Sequence, residues 1–400
     1  MKEKLDYIQA FEHMGFGIFV HFGLYSLYGK GEWAEGIYQL RDKGYEKLIE
    51  RFNPNKNWAK DLIKTAKKAG CKYATLTTRH HDGFSLFNTN GLSDFDAVHA
   101  KCGRDLVQEF VDACRGEGIV PFFYHTLLDW HNKDYNGDFN RYLDYLYDSV
   151  QILCTKYGHI GGFWFDGWWD KVEADWKFDR LYAMIRKYQP KAMIINNTGL
   201  GRLGEIGHSE IDSVTYERGK PFFIEYPDGK YRASEMCQVF NDHWGYAKND
   251  FHYKPLDEIM GDFIDCRKYN CNFLLNVGPK GNGSLRLIDK AYLIELGEWI
   301  KLNQNFIYKA RACELTADGA DVLYDGEYYY AVIKNVPMVA DSNVQKKVED
   351  IRYVTINGEV DEVIWLDNGE RTKCINNRFE VIAFQYGNSL SFRVAKFKLK

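Results

Sequence analysis

Apolar residues in this chain gather in short runs that are bulky on both faces, and these runs alternate with segments apolar on one helical face. The first run, Phe16-Gly17-Ile18-Phe19-Val20-His21-Phe22-Gly23, closes on glycine and reads as a buried strand with His21 near its end. Trp58, Leu62, Ala66 and Ala69 then share one helical face opposite Lys60, Lys64, Lys67 and Lys68, and Gly70 supplies the stop. Tyr73 to Thr78 resumes strand character and runs into Arg79-His80-His81-Asp82-Gly83-Phe84. The unit repeats. Leu106, Phe110 and Cys114 line a helix that breaks at Gly116 and Gly118, before a strand from Ile119 to His125. Leu143, Leu146, Val150 and Leu153 line the next helix, which leads into Gly161-Gly162-Phe163-Trp164-Phe165-Asp166. Leu181, Met184 and Ile185 mark a further helix, and strand-like runs return at Ala192–Asn197, Ser213–Glu217 and Phe273–Pro279. Helices are predicted across Leu256–Cys266 and Leu287–Leu302.

A β/α alternation this persistent predicts a parallel sheet, and about eight strand candidates favour closure into a (β/α)8-like barrel. From about residue 309 the helical period is lost. Asp321–Tyr324, Tyr328–Ile333, Arg352–Ile356, Val363–Trp365 and Phe379–Phe384 are short β-type runs, with Asp325-Gly326, Asn357-Gly358 and Asn368-Gly369 as hairpin punctuation. The expected organisation is therefore α/β: a catalytic barrel over residues 1–308 and a small C-terminal β-sandwich over 309–400. The second domain is assigned a packing role, with glycan contact as the weaker alternative.

In a parallel barrel the loops at the C-terminal strand ends converge on one crevice, and that is where chemistry is found. The polar strand ends here are His21, His80, His81, Tyr124, His125, Asp166, Asn196, Asn197 and Glu217. His80-His81-Asp82 could open a metal site, but adjacent strand residues point to opposite faces and make an awkward ligand pair. The alternative is carbohydrate recognition, with imidazoles, indole N–H groups and carboxylates bonding to a ring of hydroxyls while two carboxylates cleave the glycosidic bond.

Composition sharpens this choice. With 52 Lys+Arg against 56 Asp+Glu, the 400-residue chain has a net charge of −4 and no long basic run. Nucleic acid is a poor partner for it. Aromatic residues make up 16% of the chain, with 28 Tyr, 26 Phe and 10 Trp; most must belong to the core, but flat apolar rings also suit the C–H faces of sugars. The N-terminal segment has no apolar signal-like region and no stretch is long and apolar enough to span a membrane, so a cytoplasmic protein without membrane contact is expected. Nine scattered cysteines without C-x-x-C spacing read as reduced thiols, neither a disulfide framework nor a zinc site.

Several motifs in this order are similar to those of the α-L-fucosidases of glycoside hydrolase family 29. They are the first-strand run Phe16–Ser26, Glu32-Trp33, Arg79-His80-His81-Asp82-Gly83-Phe84, Trp164-Phe165-Asp166-Gly167 and Leu274-Leu275-Asn276-Val277-Gly278-Pro279. The resemblance implies a retaining glycosidase that releases α-L-fucose from fucosylated glycans and needs no metal or other cofactor. It implies Asp166 as nucleophile, Glu217 as acid/base with Glu205 and Glu210 as local competitors, and His21, Glu32, Trp33, His80, His81, Tyr124 and Trp164 as sugar contacts. Where many members carry an arginine after the fifth strand, this chain has Thr198; that cation is absent or supplied from elsewhere, with Arg202 and Arg218 as nearby candidates. Trp168 and Trp169 remain open between subsite wall and packing. A retaining glycosidase of another hexose and a catalytically silent fucose-binding protein are the competing readings.

Overall fold

The computed structural model describes residues 4–339 and 352–400. The chain divides into two compact units, Met1–Ile259 with Cys271–Glu295, and Met260–Asn270 with Leu296–Lys400.

The first unit is built on a closed barrel of eight parallel strands in sequence order: β1 (Phe16–Val20), β2 (Tyr73–Arg79), β3 (Val120–Thr126), β4 (Gly162–Asp166), β5 (Met193–Asn196), β6 (Ser213–Glu217), β7 (Ala233–Val239) and β8 (Cys271–Val277). Closure is through β1 and β8, with Ile18 opposite Leu275. Seven of these strands lie where the apolar runs predict them. The seventh was not apparent, because Ala233-Ser234-Glu235-Met236-Cys237-Gln238-Val239 carries three polar side chains, yet all seven residues are buried. Helices Trp58–Lys68, Leu106–Glu117, Phe139–Lys156 and Phe178–Tyr188 follow the predicted faces. The helix expected to break at Gly116 continues to Glu117 and ends at Gly118, whose φ of 67° supplies the left-handed cap.

Inside the barrel Phe19, Tyr73, Phe122, Tyr124, Trp164 and Ile195 form one packed cluster. An unpredicted N-terminal helix, Asp6–Met14, adds Ile8 and Phe11 to that cluster, with the Phe11 ring 5.4 Å from Tyr73 and 5.6 Å from Phe122. The barrel is thus filled below, so any cavity must open at the opposite, C-terminal end of the strands.

In the second unit the β-sandwich is present, as a six-stranded and a three-stranded antiparallel sheet around Ile333, Val354, Val363, Trp365, Phe379 and Phe397. Asp325-Gly326 and Asn368-Gly369 do join antiparallel neighbours. Asn357-Gly358 does not: Arg352–Ile356 pairs in the smaller sheet with Ala317–Asp318 and Arg378–Val381, while Glu362–Trp365 lies in the larger one. That turn carries the chain between layers, a role local turn chemistry does not distinguish from a hairpin.

Candidate active site

Asp166 is the last residue of β4, and Glu217 the last of β6. Between them, one residue beyond β5, stands Asn197. Its side-chain Nδ2 donates to Asp166 Oδ1 (3.2 Å) and to Glu217 Oε2 (2.7 Å), and its Oδ1 accepts from the Thr215 hydroxyl (2.8 Å). The two bonds from one nitrogen hold the bridged carboxylate oxygens within about 6 Å of each other. This suits a retaining pair, whose carboxyls are about 5–5.5 Å apart, better than an inverting pair at roughly 6.5–9.5 Å.

The two acids differ in environment. Partial burial of Asp166 alone would raise its pKa, but bonding and charge from His81, with bonds from Asn197 and Tyr124, outweigh burial and hold it below the usual carboxylate range. Tyr124 Oη donates to Oδ2 at 3.0 Å, His81 Nε2 is 3.5 Å from the same oxygen, and the Trp169 indole N–H donates to Oδ1 at 3.3 Å. Glu217 has fewer donors. Burial first, and then the Asp166 charge, push it up to about 7. One carboxyl is thus kept ionised and its neighbour protonated near neutrality, the split that acid/base chemistry needs.

Local sequence explains the placement of Asp166. Gly167, directly after it, has φ of 94°, and a Cβ there would lie 2.6 Å from Leu128 Cβ and 2.8 Å from its backbone nitrogen. Only glycine lets the chain turn this tightly against the β3 end. Gly162, at the start of β4, likewise leaves no room for a Cβ, which would lie 2.5 Å from the Met193 carbonyl oxygen.

These carboxyls face a cavity of about 420 Å3 lined also by His21, Trp33, His80, His81, Tyr124 and Trp164. Asn276 fixes the His21 tautomer: its Nδ2 donates to the Trp244 carbonyl (2.7 Å), so its Oδ1 accepts from His21 Nδ1–H (2.7 Å). Burial lowers the His21 pKa to about 3, leaving a neutral ring whose Nε2 can accept. His81 Nδ1 donates to Thr126 Oγ1 (2.7 Å), whose own proton goes to the Leu128 carbonyl. His80 stacks on Tyr124 at 5.4 Å and 11°, and its buried Nδ1 has no hydrogen-bond partner among the described residues. Trp164 also stacks on Tyr124, at 5.7 Å and 18°, and its indole donates to the buried Glu235 (2.9 Å).

The structure corrects several sequence expectations. His80 and His81 lie beyond β2, which ends at Arg79, and both reach the same cavity; strand alternation does not apply to them. Asp82 takes no part, since it accepts from Tyr45 Oη (2.8 Å) and the Phe84 amide. Among the described residues no group of three or more His, Cys, Asp or Glu is arranged to hold a metal ion. His125 and Asn196 do obey alternation and point to the helical layer, where they bond to Ser149 Oγ (2.9 Å) and Tyr182 Oη (3.0 Å). Glu32 is buried and accepts from the Gly245 amide with Oε2 (2.7 Å), and its charge raises the pKa of Glu217. Trp169 is a wall residue, stacked on Trp33 at 5.6 Å and 23°. Phe19 of β1 also lines the cavity, and so do Trp244, Leu200 and Cys237, which were not singled out because each sits in a loop or strand without a distinctive pattern.

Comparison with known proteins fits this geometry. A family model described as Alpha-L-fucosidase matches residues 2–305. The chain belongs to the α-L-fucosidase family. Among its relatives, the tissue alpha-L-fucosidase of Homo sapiens is 27% identical over 332 residues, 75% of this chain and 69% of that protein. The alpha-L-fucosidase of Dictyostelium discoideum is 25% identical over 334 residues, 74% of this chain and 70% of the relative. Among solved structures, alpha-L-fucosidase isoenzyme 1 from Paenibacillus thiaminolyticus superposes with a TM-score of 0.84 at 31% identity, covering 99% of both chains. A family 29 α-L-fucosidase from Bacteroides thetaiotaomicron, solved as a trapped covalent intermediate, has the same fold, with a TM-score of 0.82 at 24% identity over 100% of this chain and 97% of that one.

Within this fucosidase fold the competitors of Glu217 are engaged elsewhere. Glu210 lies 3.4 Å from Arg186 Nε and Glu205 3.6 Å from the exposed Arg202, and neither lines the cavity. Of the two candidate substitutes for the arginine absent at Thr198, Arg218 is the nearer to the chemistry. Its guanidinium lies over the Trp244 ring at 5.0 Å, and its charge lowers the pKa of both Glu217 and His21. Thr198 itself is buried, with its hydroxyl directed at the Glu205 carbonyl (3.3 Å).

Proposed function

We propose that this chain is a retaining exo-α-L-fucosidase in which Asp166 is the nucleophile and Glu217 the acid/base. The substrate is a fucosylated glycan. The observation that carries the assignment is the Asn197 bridge, which holds a low-pKa and a raised-pKa carboxyl side by side in the lining of one cavity.

In the first step the Asp166 carboxylate attacks the anomeric carbon while Glu217 gives its proton to the departing glycosidic oxygen. The product is a fucosyl ester on Asp166 and a free leaving group. In the second step Glu217, now ionised, takes a proton from water as the water attacks the same carbon; the ester breaks, Asp166 is regenerated, and two inversions give net retention. His21 offers a lone pair to a sugar hydroxyl, and Trp164 and Trp33 offer apolar faces to the ring and its methyl group.

The test is release of L-fucose from an aryl α-L-fucoside. Asp166→Gly is expected to lose at least about 10³-fold in kcat, an order typical of removing an essential catalytic group. Azide should restore turnover with formation of the β-fucosyl azide. Near-wild-type activity in the variant would remove Asp166 from the role.

A further inference from the structure

Glu235 lies in the middle of β7 and is 1% exposed. Ala233 and Cys237, two residues to either side, belong to the cluster that fills the barrel, so Glu235 on the same strand face points into the interior as well. A carboxylate is costly there. Burial pushes its pKa up to about 7, and two neutral donors work against that shift: the Tyr73 hydroxyl on Oε2 (2.5 Å) and the Trp164 indole on Oε1 (2.9 Å). Among the described residues it makes no ion pair. A methionine would fill the same space without taking a charged group out of water, so packing alone gives no reason for an acid at this position.

The fold makes room for the acid on one side and uses it on the other. Tyr73 is opposite Gly17 in the pairing of β1 with β2, and a Cβ at Gly17 would lie 2.4 Å from the Tyr73 ring; the absent side chain leaves the space that this ring occupies while its hydroxyl reaches Glu235. Trp164, the other donor, lines the cavity that holds Asp166 and Glu217. Its ring is near-parallel to Tyr124 (5.7 Å, 18°) and edge-on to Phe19 (5.1 Å, 61°), contacts that hold its plane but not its sense. Rotation about χ2 of a tryptophan is broad and roughly two-fold, so stacking by itself admits two opposed orientations of the indole. The bond from Nε1 to Glu235 selects one of them, because the reversed ring would turn its N–H away from the acid and leave it unsatisfied.

We propose that Glu235 is a positioning residue for sugar binding: its carboxylate fixes the orientation of Trp164 and so the apolar wall against which the fucosyl ring packs. This rests on the fucosidase reading above and adds to it a buried residue, outside the cavity lining, that sets the affinity of the site.

The experiment measures KM and kcat for an aryl α-L-fucoside in the wild type, Glu235→Gln, Glu235→Asp and Glu235→Met, with a melting curve for each. Gln keeps the reach of the side chain and loses its charge, while Asp keeps the charge and loses the reach. Positioning through the indole bond predicts that Asp and Met each raise KM about tenfold, the value of roughly one hydrogen bond, with kcat changed by less than about threefold, and that Gln leaves KM within about threefold of wild type. Should Glu235→Met not fold, the Asp and Gln variants carry the comparison by themselves. The effect should also vanish when the indole N–H is absent: in a Trp164→Phe background, adding Glu235→Asp should change KM by less than about twofold. KM within twofold of wild type in Glu235→Asp, a loss in Glu235→Gln as large as in Glu235→Asp, or the same loss from Glu235→Asp with and without Trp164→Phe would overturn the proposal. A merely structural role would lower the melting temperature and leave KM of the folded enzyme where it was. A wild-type enzyme inactive on the aryl fucoside would instead overturn the fucosidase reading, so the two failures are distinguishable.

Discussion

Replacing Asn197 with alanine removes the side chain that, among the described residues, is alone in bonding to both proposed catalytic carboxyls. Its Nδ2 lies 3.2 Å from Asp166 and 2.7 Å from Glu217, and each bond lowers the pKa of the acid that accepts it. A hydrogen bond to a charged group contributes about 1.5–3 kcal/mol. Loss of one such bond, with looser orientation of the pair, corresponds to a fall in kcat/KM of roughly 10- to 100-fold. The pH dependence is more diagnostic than the size of the loss. Activity requires Asp166 ionised and Glu217 protonated, so the acid limb follows Asp166 and the alkaline limb follows Glu217, near pH 7. Without the Asn197 donor both pKa values rise, and the whole bell moves to higher pH. The assay is kcat/KM for an aryl α-L-fucoside across pH, with a melting curve to show that the variant is folded. A bell that stays in place or moves to lower pH would refute the reasoning, as would kcat/KM within twofold of wild type.

Glu217→Ala should slow hydrolysis of the fucosyl-enzyme far more than its formation from an activated aryl fucoside, so the intermediate accumulates and pre-steady-state measurements show a burst. The alkaline limb near pH 7 should vanish in that variant, and azide should give partial rescue with the retained α-fucosyl azide. Asn276→Ala removes the acceptor that sets the His21 tautomer, and is expected to raise KM about tenfold, the value of roughly one hydrogen bond, with a smaller change in kcat; saturation kinetics check the split.

The barrel was readable in the sequence because seven of its strands are short apolar runs and its helices carry clean apolar faces. The seventh strand escaped notice because Glu235 and Gln238 are buried within it. Glu235 faces the barrel interior, where the Tyr73 hydroxyl (2.5 Å) and the Trp164 indole (2.9 Å) satisfy it. Such partners come from strands far away in sequence and leave no local signal. The N-terminal helix escaped for a related reason, since Ile8 and Phe11 gain meaning only against Tyr73 and Phe122.

The site was legible where chemistry is concentrated at strand ends. Asp166, Glu217, His21, Tyr124 and Trp164 all reach the cavity, as do His80 and His81, which strand alternation had argued against only as a pair of metal ligands. His125 and Asn196 show the same rule working the other way, since each neighbours an inward-facing residue and so points outward. Asn197 appeared only as one polar strand end among nine. Its bridging role depends on β4 and β6 lying either side of β5, which follows from closure of the sheet rather than from the residues around it.

The central claim, that Asp166 becomes covalently attached to the sugar, is tested most directly by trapping. The enzyme is incubated with 2-deoxy-2-fluoro-α-L-fucosyl fluoride, and its intact mass and peptide map are recorded. The account predicts one fluorofucosyl unit per chain, on the peptide containing Asp166, and no labelling of Asp166→Gly. A label on Glu217 or on any other residue, or turnover of aryl α-L-fucoside that this reagent cannot inhibit, would contradict it.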